Sequence, residues 1–213
     1  LGQPYDPTRR QVLLAAGIGA TVAALGGSSA GDQRPQPFRL CPPGAHDPEF
    51  SSRCVRCGRC LKACPTGALQ PSLWQAGWQG FWTPVLTPRL GYCEYTCNTC
   101  GQVCPTEAIP RLDMAAKQEQ IIGTAYIDRS RCIPWADARD CICCEEVCPR
   151  PQKAILLEDV EVRSPDGTPV TVRRPHVVRE RCIGCGLCEN KCPLDSEAAI
   201  RVRVDDPTVR APG

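Results

Sequence analysis

The sequence predicts an α+β fold made of short strands, cysteine loops and short helices. Three observations support this prediction. The chain has 213 residues, and 18 of them are cysteine, which is far above ordinary usage. Aromatic residues make up only 5% of the chain, so side-chain packing alone is a weak source of core stability. A cysteine motif followed by a short apolar run occurs four times. We therefore expect repeated small units that an inorganic group helps to hold together.

The first 31 residues differ in character from the rest of the chain. Thr8-Arg9-Arg10 precedes Gln11 to Gly31, a run of 21 residues without a charged side chain. A twin-arginine pair before an apolar run is typical of an export signal, and about 20 residues suffice to cross a bilayer. We predict a single apolar N-terminal helix over residues 1–31 that acts as signal and retained membrane anchor. A buried helix of a soluble protein is the alternative.

This segment also predicts where the chain resides. Arg9 and Arg10 favour the cytoplasmic side of a membrane, so the remainder is expected on the periplasmic, extracytoplasmic side. Residues 32–52 are rich in proline and predict an extended linker on the surface. The repeats occupy residues 53–213, which we expect to form the main domain.

The four repeats begin at Cys54, Cys93, Cys132 and Cys182. Each ends in Cys-Pro and continues into alanine followed by leucine or isoleucine. Residues 154–158 and 199–204 alternate or run apolar, as strands do. The third and fourth cysteines of each motif suit a short helix that starts after the third. One repeat therefore predicts a cysteine loop, a short helix and a strand.

Cysteine spacing indicates the chemistry. Motifs one and four match the bacterial ferredoxin spacing, in which three cysteines wrap one 4Fe–4S cluster and the fourth, before proline, binds a neighbouring cluster. Motif two has one extra residue in its first gap, and motif three has eight residues between Cys132 and Cys141. We predict four 4Fe–4S clusters that use 16 of the 18 cysteines, with Cys41 and Cys143 left over. The predicted ligands are Cys54, Cys57, Cys60 and Cys64; Cys93, Cys97, Cys100 and Cys104; Cys132, Cys141, Cys144 and Cys148; and Cys182, Cys185, Cys188 and Cys192.

Other uses of these cysteines fit the pattern less well. Zinc sites use Cys-x-x-Cys pairs but rarely three cysteines at this spacing followed by Cys-Pro. Disulfide scaffolds do not favour an evenly repeated quartet. The motif for covalent c-type haem, Cys-x-x-Cys-His, does not occur. The formal charge is +2 with neutral thiols, and four anionic clusters would make the whole protein negative, so the basic residues are interpreted as counter-charges to the clusters. The chain has no basic stripe with interleaved aromatics, so no nucleic-acid partner is expected.

The stretch from Leu40 to Val204 resembles the periplasmic ferredoxin-type proteins of the NapG and MauM kind. The long third motif, Cys132-Ile-Pro-Trp to Cys148-Pro with Lys153-Ala154-Ile155, is the specific marker, and Pro42-Pro43-Gly44-Ala45 is similar too. The resemblance implies two ferredoxin-like two-cluster modules, in which motif one pairs with motif four and motif two with motif three. Sequential pairing of neighbouring motifs is the alternative, and it uses the same sixteen cysteines.

The resemblance also implies four ligand sets. The outer sets are Cys54, Cys57 and Cys60 with Cys192, and Cys182, Cys185 and Cys188 with Cys64. The inner sets are Cys93, Cys97 and Cys100 with Cys148, and Cys132, Cys141 and Cys144 with Cys104.

The expected function is electron transfer through a row of 4Fe–4S clusters, with no substrate chemistry of the chain's own. By resemblance, the chain links a membrane quinone-oxidoreductase module to a periplasmic or membrane-bound redox partner. The alternative is an iron–sulfur subunit of a membrane-bound oxidoreductase complex whose molybdenum or haem cofactor lies in another chain. Basic residues around motifs one and four are interpreted as solvated counter-charges to the clusters, and the alternative is a docking edge for an acidic partner.

Overall fold

The structure is a computed structural model, and it describes residues 39–46, 49–73, 80–163 and 167–204. Within these ranges the chain is a small α+β protein, as predicted, with helices of one to two turns and short strands. The predicted N-terminal helix over residues 1–31 lies outside the described residues. In the ranges given, no helix has both the length and the apolar character needed to cross a membrane.

The helices are short because cysteine loops and prolines interrupt them. Their bounds are α1 Glu49–Arg53, α2 Arg59–Ala63, α3 Thr99–Gln102, α4 Met114–Gln118, α5 Ile133–Ala136, α6 Cys143–Glu146 and α7 Leu187–Asn190, with a 3-10 turn at Arg179–Arg181. The third cysteine of each motif lies inside a helix (α2, α3, α6 or α7). These helices therefore begin one residue before the third cysteine, rather than after it as predicted.

The strands form three separate two-stranded antiparallel sheets in the described ranges. Their bounds are β1 Leu69–Pro71, β2 Pro84–Leu86, β3 Thr124–Ile127, β4 Ile155–Arg163, β5 Pro169–Val177 and β6 Ile200–Arg203. β1 pairs with β2, and the nine residues of β4 pair with those of β5. β3 pairs with β6, which sets Thr124 opposite Arg203 and Ile127 opposite Ile200.

The pairing of β3 with β6 divides the described chain into two modules. β3 precedes motif three and β6 follows motif four, so their sheet encloses both motifs in one unit, the C-module (residues 122–204). Motifs one and two lie in the remaining part, the N-module (residues 39–112), with β1 and β2 between them. The modules are therefore successive halves of the cysteine-rich region.

The core is small and is built around the cysteines. Phe50 and Ile109 are among its most deeply buried large side chains, at 1% and 2% exposure. Phe50 lies in α1, so the described part of residues 32–52 is partly helical and packs into the core, which corrects the predicted extended surface linker. Four cysteines belong to the same buried cluster: Cys60, Cys104, Cys144 and Cys188. A chain with so few aromatic residues thus packs its apolar side chains around sulfur atoms.

The two modules meet along residues 88–93, which pack on motif four. The guanidinium of Arg89 donates to the carbonyl oxygens of Glu189 at 3.2 Å and Cys192 at 3.3 Å, and also to those of Leu194 and Ser196. In return the Asn190 amide donates to the Pro88 carbonyl at 3.2 Å. These bonds join residues 88–89 to the end of α7 and to the residues that follow it.

Candidate metal centres

The predicted ligand cysteines converge in sets of four. Three sets line cavities of about 390, 360 and 390 Å³. Site I is lined by Cys54, Cys57, Cys60 and Cys104. Site III is lined by Cys132, Cys141, Cys144 and Cys192. Site IV is lined by Cys182, Cys185, Cys188 and Cys148. Each cavity combines the first three cysteines of one motif with the last cysteine of the other motif in its module.

Site II completes the pattern with Cys93, Cys97, Cys100 and Cys64. Burial raises the pKa of the Cys100 thiol to about 11, and charge repulsion from Cys60, Cys97 and Cys64 adds to the shift. Cys60 lines the cavity of site I. Cys64 Sγ lies 3.4 Å from the Thr66 hydroxyl, which donates to the carbonyl oxygen of Tyr92, the residue before Cys93, at 2.6 Å. Cys64 is therefore the fourth cysteine beside motif two, as Cys104 is beside motif one.

This arrangement corrects the grouping that the resemblance implies. Cys192 was expected with Cys54, Cys57 and Cys60, but Cys104 lies there and Cys192 lines the cavity of motif three instead. Likewise Cys148, not Cys64, lies beside Cys182, Cys185 and Cys188. The physical reason is that the β3–β6 sheet encloses motifs three and four in one module. The fourth cysteine of each motif, which we call the crossing cysteine, therefore reaches the other motif of its own module. The sequential alternative agrees with the structure.

The thiols in these sets are buried and crowded, which makes free thiolates unfavourable. Burial raises the pKa of Cys60, Cys93 and Cys132 to about 11. It raises the pKa of Cys144 and Cys185 to about 12 and that of Cys188 well above its ordinary value. Four thiolates in one such place need a positive charge among them. An iron–sulfur core supplies that charge.

Backbone amides point at several of the sulfurs. The amide of Ala125 donates to Cys182 Sγ at 3.4 Å, that of Ala154 to Cys148 Sγ at 3.4 Å, and that of Ile109 to Cys104 Sγ at 3.5 Å. Such hydrogen bonds stabilise negative charge on a cluster.

None of the described residues lining the three cavities is an aspartate or glutamate. This donor set fits a 4Fe–4S cluster.

The cysteines of each site are spaced for a cluster and not for one ion. In the described part of the chain, no three Cys, His, Asp or Glu side chains are placed to hold a single metal ion.

The loops that surround the cavities also need glycine. Gly184 has φ 69, and a β-carbon there would lie 2.3 Å from the Gly123 carbonyl oxygen. Only glycine fits both the left-handed conformation and the close approach.

The two cysteines outside the predicted quartets differ in position. Cys143 lines the site III cavity, and its thiol donates to the Lys191 carbonyl oxygen at 3.0 Å. Cys41 is partly buried and packs against the core. The ligand role of the sixteen and the non-ligand role of these two stay predictions.

Sequence reasoning missed polar groups that contact the sites. Lys117 is buried near Cys93, although 24 residues separate them and no local spacing indicates the contact. The hydroxyls of Thr66 and Thr106 lie 3.4 and 3.9 Å from the sulfurs of Cys64 and Cys104. The repeated tripeptide Cys-Pro-Thr in motifs one and two was a signal that could have found these threonines.

Comparison with known proteins places this geometry in context. Residues 50–70 and 175–196, which contain motifs one and four, match the 4Fe-4S binding domain family. The chain is 36% identical over 215 residues to the methylamine utilization ferredoxin-type protein MauM of Paracoccus denitrificans, covering 97% of this chain and 92% of that protein. It is 34% identical over 196 residues to the ferredoxin-type protein NapG of Escherichia coli, covering 91% and 82%. The ferredoxin-type protein NapF of Escherichia coli is 26% identical over 160 residues, covering 74% and 82%.

Proposed function

Because the chain belongs to the MauM and NapG family of ferredoxin-type proteins, we propose that it carries single electrons through four 4Fe–4S clusters, one at each site. The chain is a ferredoxin-type electron-transfer protein with 4Fe–4S binding segments, and not an enzyme in its own right. Each cluster, when bound, supplies one-electron redox chemistry. The proposed number of four clusters rests on one repeated observation. In each site, three cysteines of one motif lie with one cysteine of the other motif in the same module.

Contacts between the sites support an order for the path. Burial is the largest cause of the raised pKa of Cys100 in site II, and the charge of Cys60 in site I raises this pKa further. The two sulfurs therefore lie close together. The Cys93 amide of site II donates to the Cys185 carbonyl of site IV at 2.7 Å. Cys188 of site IV lies beside Cys144 of site III. The order of contact is therefore I, II, IV, III, so sites I and III are the two ends.

The site I end presents a surface suited to an acidic redox partner. Cys57 is exposed, and so are the basic side chains of Arg56, Arg59 and Lys62 around it. Val55 is 61% exposed and Trp82 is 47% exposed beside the same cavity. A basic rim around exposed apolar side chains and a redox site favours docking of an anionic protein. We place electron exchange with a periplasmic or membrane-bound partner at this surface.

The other end is expected to receive or deliver electrons through a membrane quinol-linked subunit. The proposed membrane anchor and twin-arginine signal lie in residues 1–31, and the proposed location is the periplasmic side of a membrane. Isolation of the chain with a quinol-linked membrane protein supports this arrangement. Isolation with a molybdenum or haem chain supports the alternative, an iron–sulfur subunit of a larger oxidoreductase.

Metal analysis tests the four-cluster function. The full chain, reconstituted anaerobically, should bind about 16 Fe and about 16 acid-labile sulfides. Electron paramagnetic resonance of the reduced protein should show coupled 4Fe–4S signals that account for about four electrons per chain. A folded protein with about eight Fe would contradict the proposal. A control chain with Cys41→Ser should bind the same iron, because Cys41 belongs to none of the four sites.

Charge reversal tests the docking surface. Reduced protein should be oxidised by ferricyanide, an anion, about threefold more slowly after Arg59→Glu with Lys62→Glu, because the basic rim attracts anions. Oxidation by hexaammineruthenium, a cation, should not slow. The control is Arg163→Glu, an exposed residue at the end of β4. An equal effect of the control variant would place electron exchange elsewhere.

A further inference from the structure

Lys117 is a buried cation beside site II. The residue is 3% exposed and lies in α4, whose first turn is capped by the Asp113 carboxylate accepting from the Ala116 amide at 2.7 Å. Its ammonium donates to the carbonyl oxygens of Glu94 and, at 3.1 Å, of Tyr95. These are the two residues that follow Cys93. The helix cap and the two carbonyl contacts therefore fix the ammonium next to the first cysteine of site II.

No carboxylate balances this charge within the described chain: no ion pair to Lys117 occurs there. A buried ammonium without a nearby anion is strongly unfavourable. The remaining neighbour of opposite charge is the Cys93 sulfur. The Lys117 ammonium is held against the backbone of the two residues that directly follow Cys93. A thiolate-ligated cluster at site II is the anion that suits this position.

We propose that Lys117 is a positioning residue for electron transfer, whose fixed positive charge raises the reduction potential of site II. Reduction adds one electron to the site and makes it more negative by one charge, with no bond formed or broken. A nearby cation stabilises the reduced form more than the oxidised form. Site II, in the middle of the path and in contact with site IV, is therefore the site that is reduced most easily. The inference rests on the proposed cluster ligation.

Lys153 of the C-module provides a matched comparison. Its ammonium also donates to two backbone carbonyls after a motif cysteine, those of Glu145 at 2.7 Å and Glu146 at 3.1 Å. Unlike Lys117, it forms an ion pair with the Glu145 carboxylate at 3.1 Å, and its side chain is 35% exposed. A paired and partly solvated charge exerts a weaker field on its surroundings. Removing Lys153 should therefore change cluster potentials less than removing Lys117.

The test is a redox titration of the full reconstituted chain, with dithionite as the electron donor and paramagnetic resonance as the readout. At the potential where site II of the wild type is half reduced, Lys117→Gln should lower the ratio of reduced to oxidised site about tenfold. For a one-electron couple this equals a shift of about 59 mV. Lys117→Arg, which keeps the charge, and Lys153→Gln should stay within about twofold of the wild type.

Iron and sulfide content separates this inference from the proposed function. A wild-type chain that binds no cluster defeats both. Full iron with an unchanged potential in Lys117→Gln, or an equal shift in Lys153→Gln, overturns the role of Lys117 alone. If Lys117→Gln binds less iron, Lys117→Met, which keeps the apolar stem, replaces it in the titration. Loss of iron in both variants means that the lysine serves folding rather than potential, and this also overturns the inference.

Discussion

The two modules gather their cysteines in the same way but surround them with different polar groups. In the N-module a threonine follows each Cys-Pro, at Thr66 and Thr106. In the C-module the equivalent positions are Arg150 and Leu194, which place no hydroxyl beside the crossing sulfur. Lys117, which contacts site II of the N-module, lacks a carboxylate partner among the described residues, whereas Lys153 of the C-module is paired. The ligand pattern is shared, and the electrostatics are not.

The consequence is visible in the crossing cysteines. Burial raises the pKa of the Cys104 thiol, but hydrogen bonds from the Ile109 amide and from Thr106 outweigh it, so the pKa is lowered. The pKa of Cys64 is lowered in the same way, with Thr66 opposing burial. Groups that stabilise negative charge on sulfur raise a cluster's potential. We therefore expect the N-module to be reduced more easily, with electrons moving from the C-module to the N-module.

The largest effect should come from removing a crossing cysteine. Cys104→Ser should deplete the cluster of site I, because Cys104 lines that cavity with Cys54, Cys57 and Cys60. Iron content should fall by about four per chain, since one 4Fe–4S cluster is lost. Local order around motif one should fall too, because cluster binding and folding are coupled. Iron analysis and paramagnetic resonance measure the loss of the cluster, and amide hydrogen exchange around motif one measures the loss of local order.

Cys192→Ser is the matched variant in the C-module. It should deplete site III and leave site I intact, because Cys192 lines the cavity of motif three. Reconstitution of each variant with isotopically labelled iron, followed by proteolytic mapping, identifies the depleted motif. Loss of the motif-one cluster in Cys192→Ser, with its retention in Cys104→Ser, would restore the pairing of motif one with motif four.

Local sequence predicted the elements and the cysteine pattern, because these depend on residues close together in the chain. The presence of a short helix in each motif, although not its first residue, and the strands near residues 154–158 and 199–204 follow from local spacing. The partner of each crossing cysteine does not, because it depends on β3 pairing with β6 across more than 70 residues. Lys117 escaped notice for the same reason: its partners lie 22 and 23 residues away along the chain.

A smaller effect concerns how the modules hold together. Arg89 of the N-module donates to four carbonyl oxygens at the end of motif four, including those of Glu189 and Cys192. The Asn190 amide returns a bond to Pro88, and the Cys93 amide bonds Cys185 in the same contact. This contact therefore keeps site II beside site IV. Its loss should weaken the contact between modules while leaving both sets of cysteines in place.

Arg89→Met tests this contact. The free energy of unfolding of the reconstituted chain should fall by about 1–3 kcal/mol, since partly buried carbonyls lose a charged donor. Electron transfer between the modules, measured by flash reduction, should slow, whereas iron content should stay the same. Arg139→Met is the control, because Arg139 lies in an exposed pair with Asp137 and is 72% exposed, so its removal should change stability by less than about 0.5 kcal/mol. Equal stability losses in the two variants, or unchanged transfer in Arg89→Met, would show that the modules do not depend on this contact for their electronic connection.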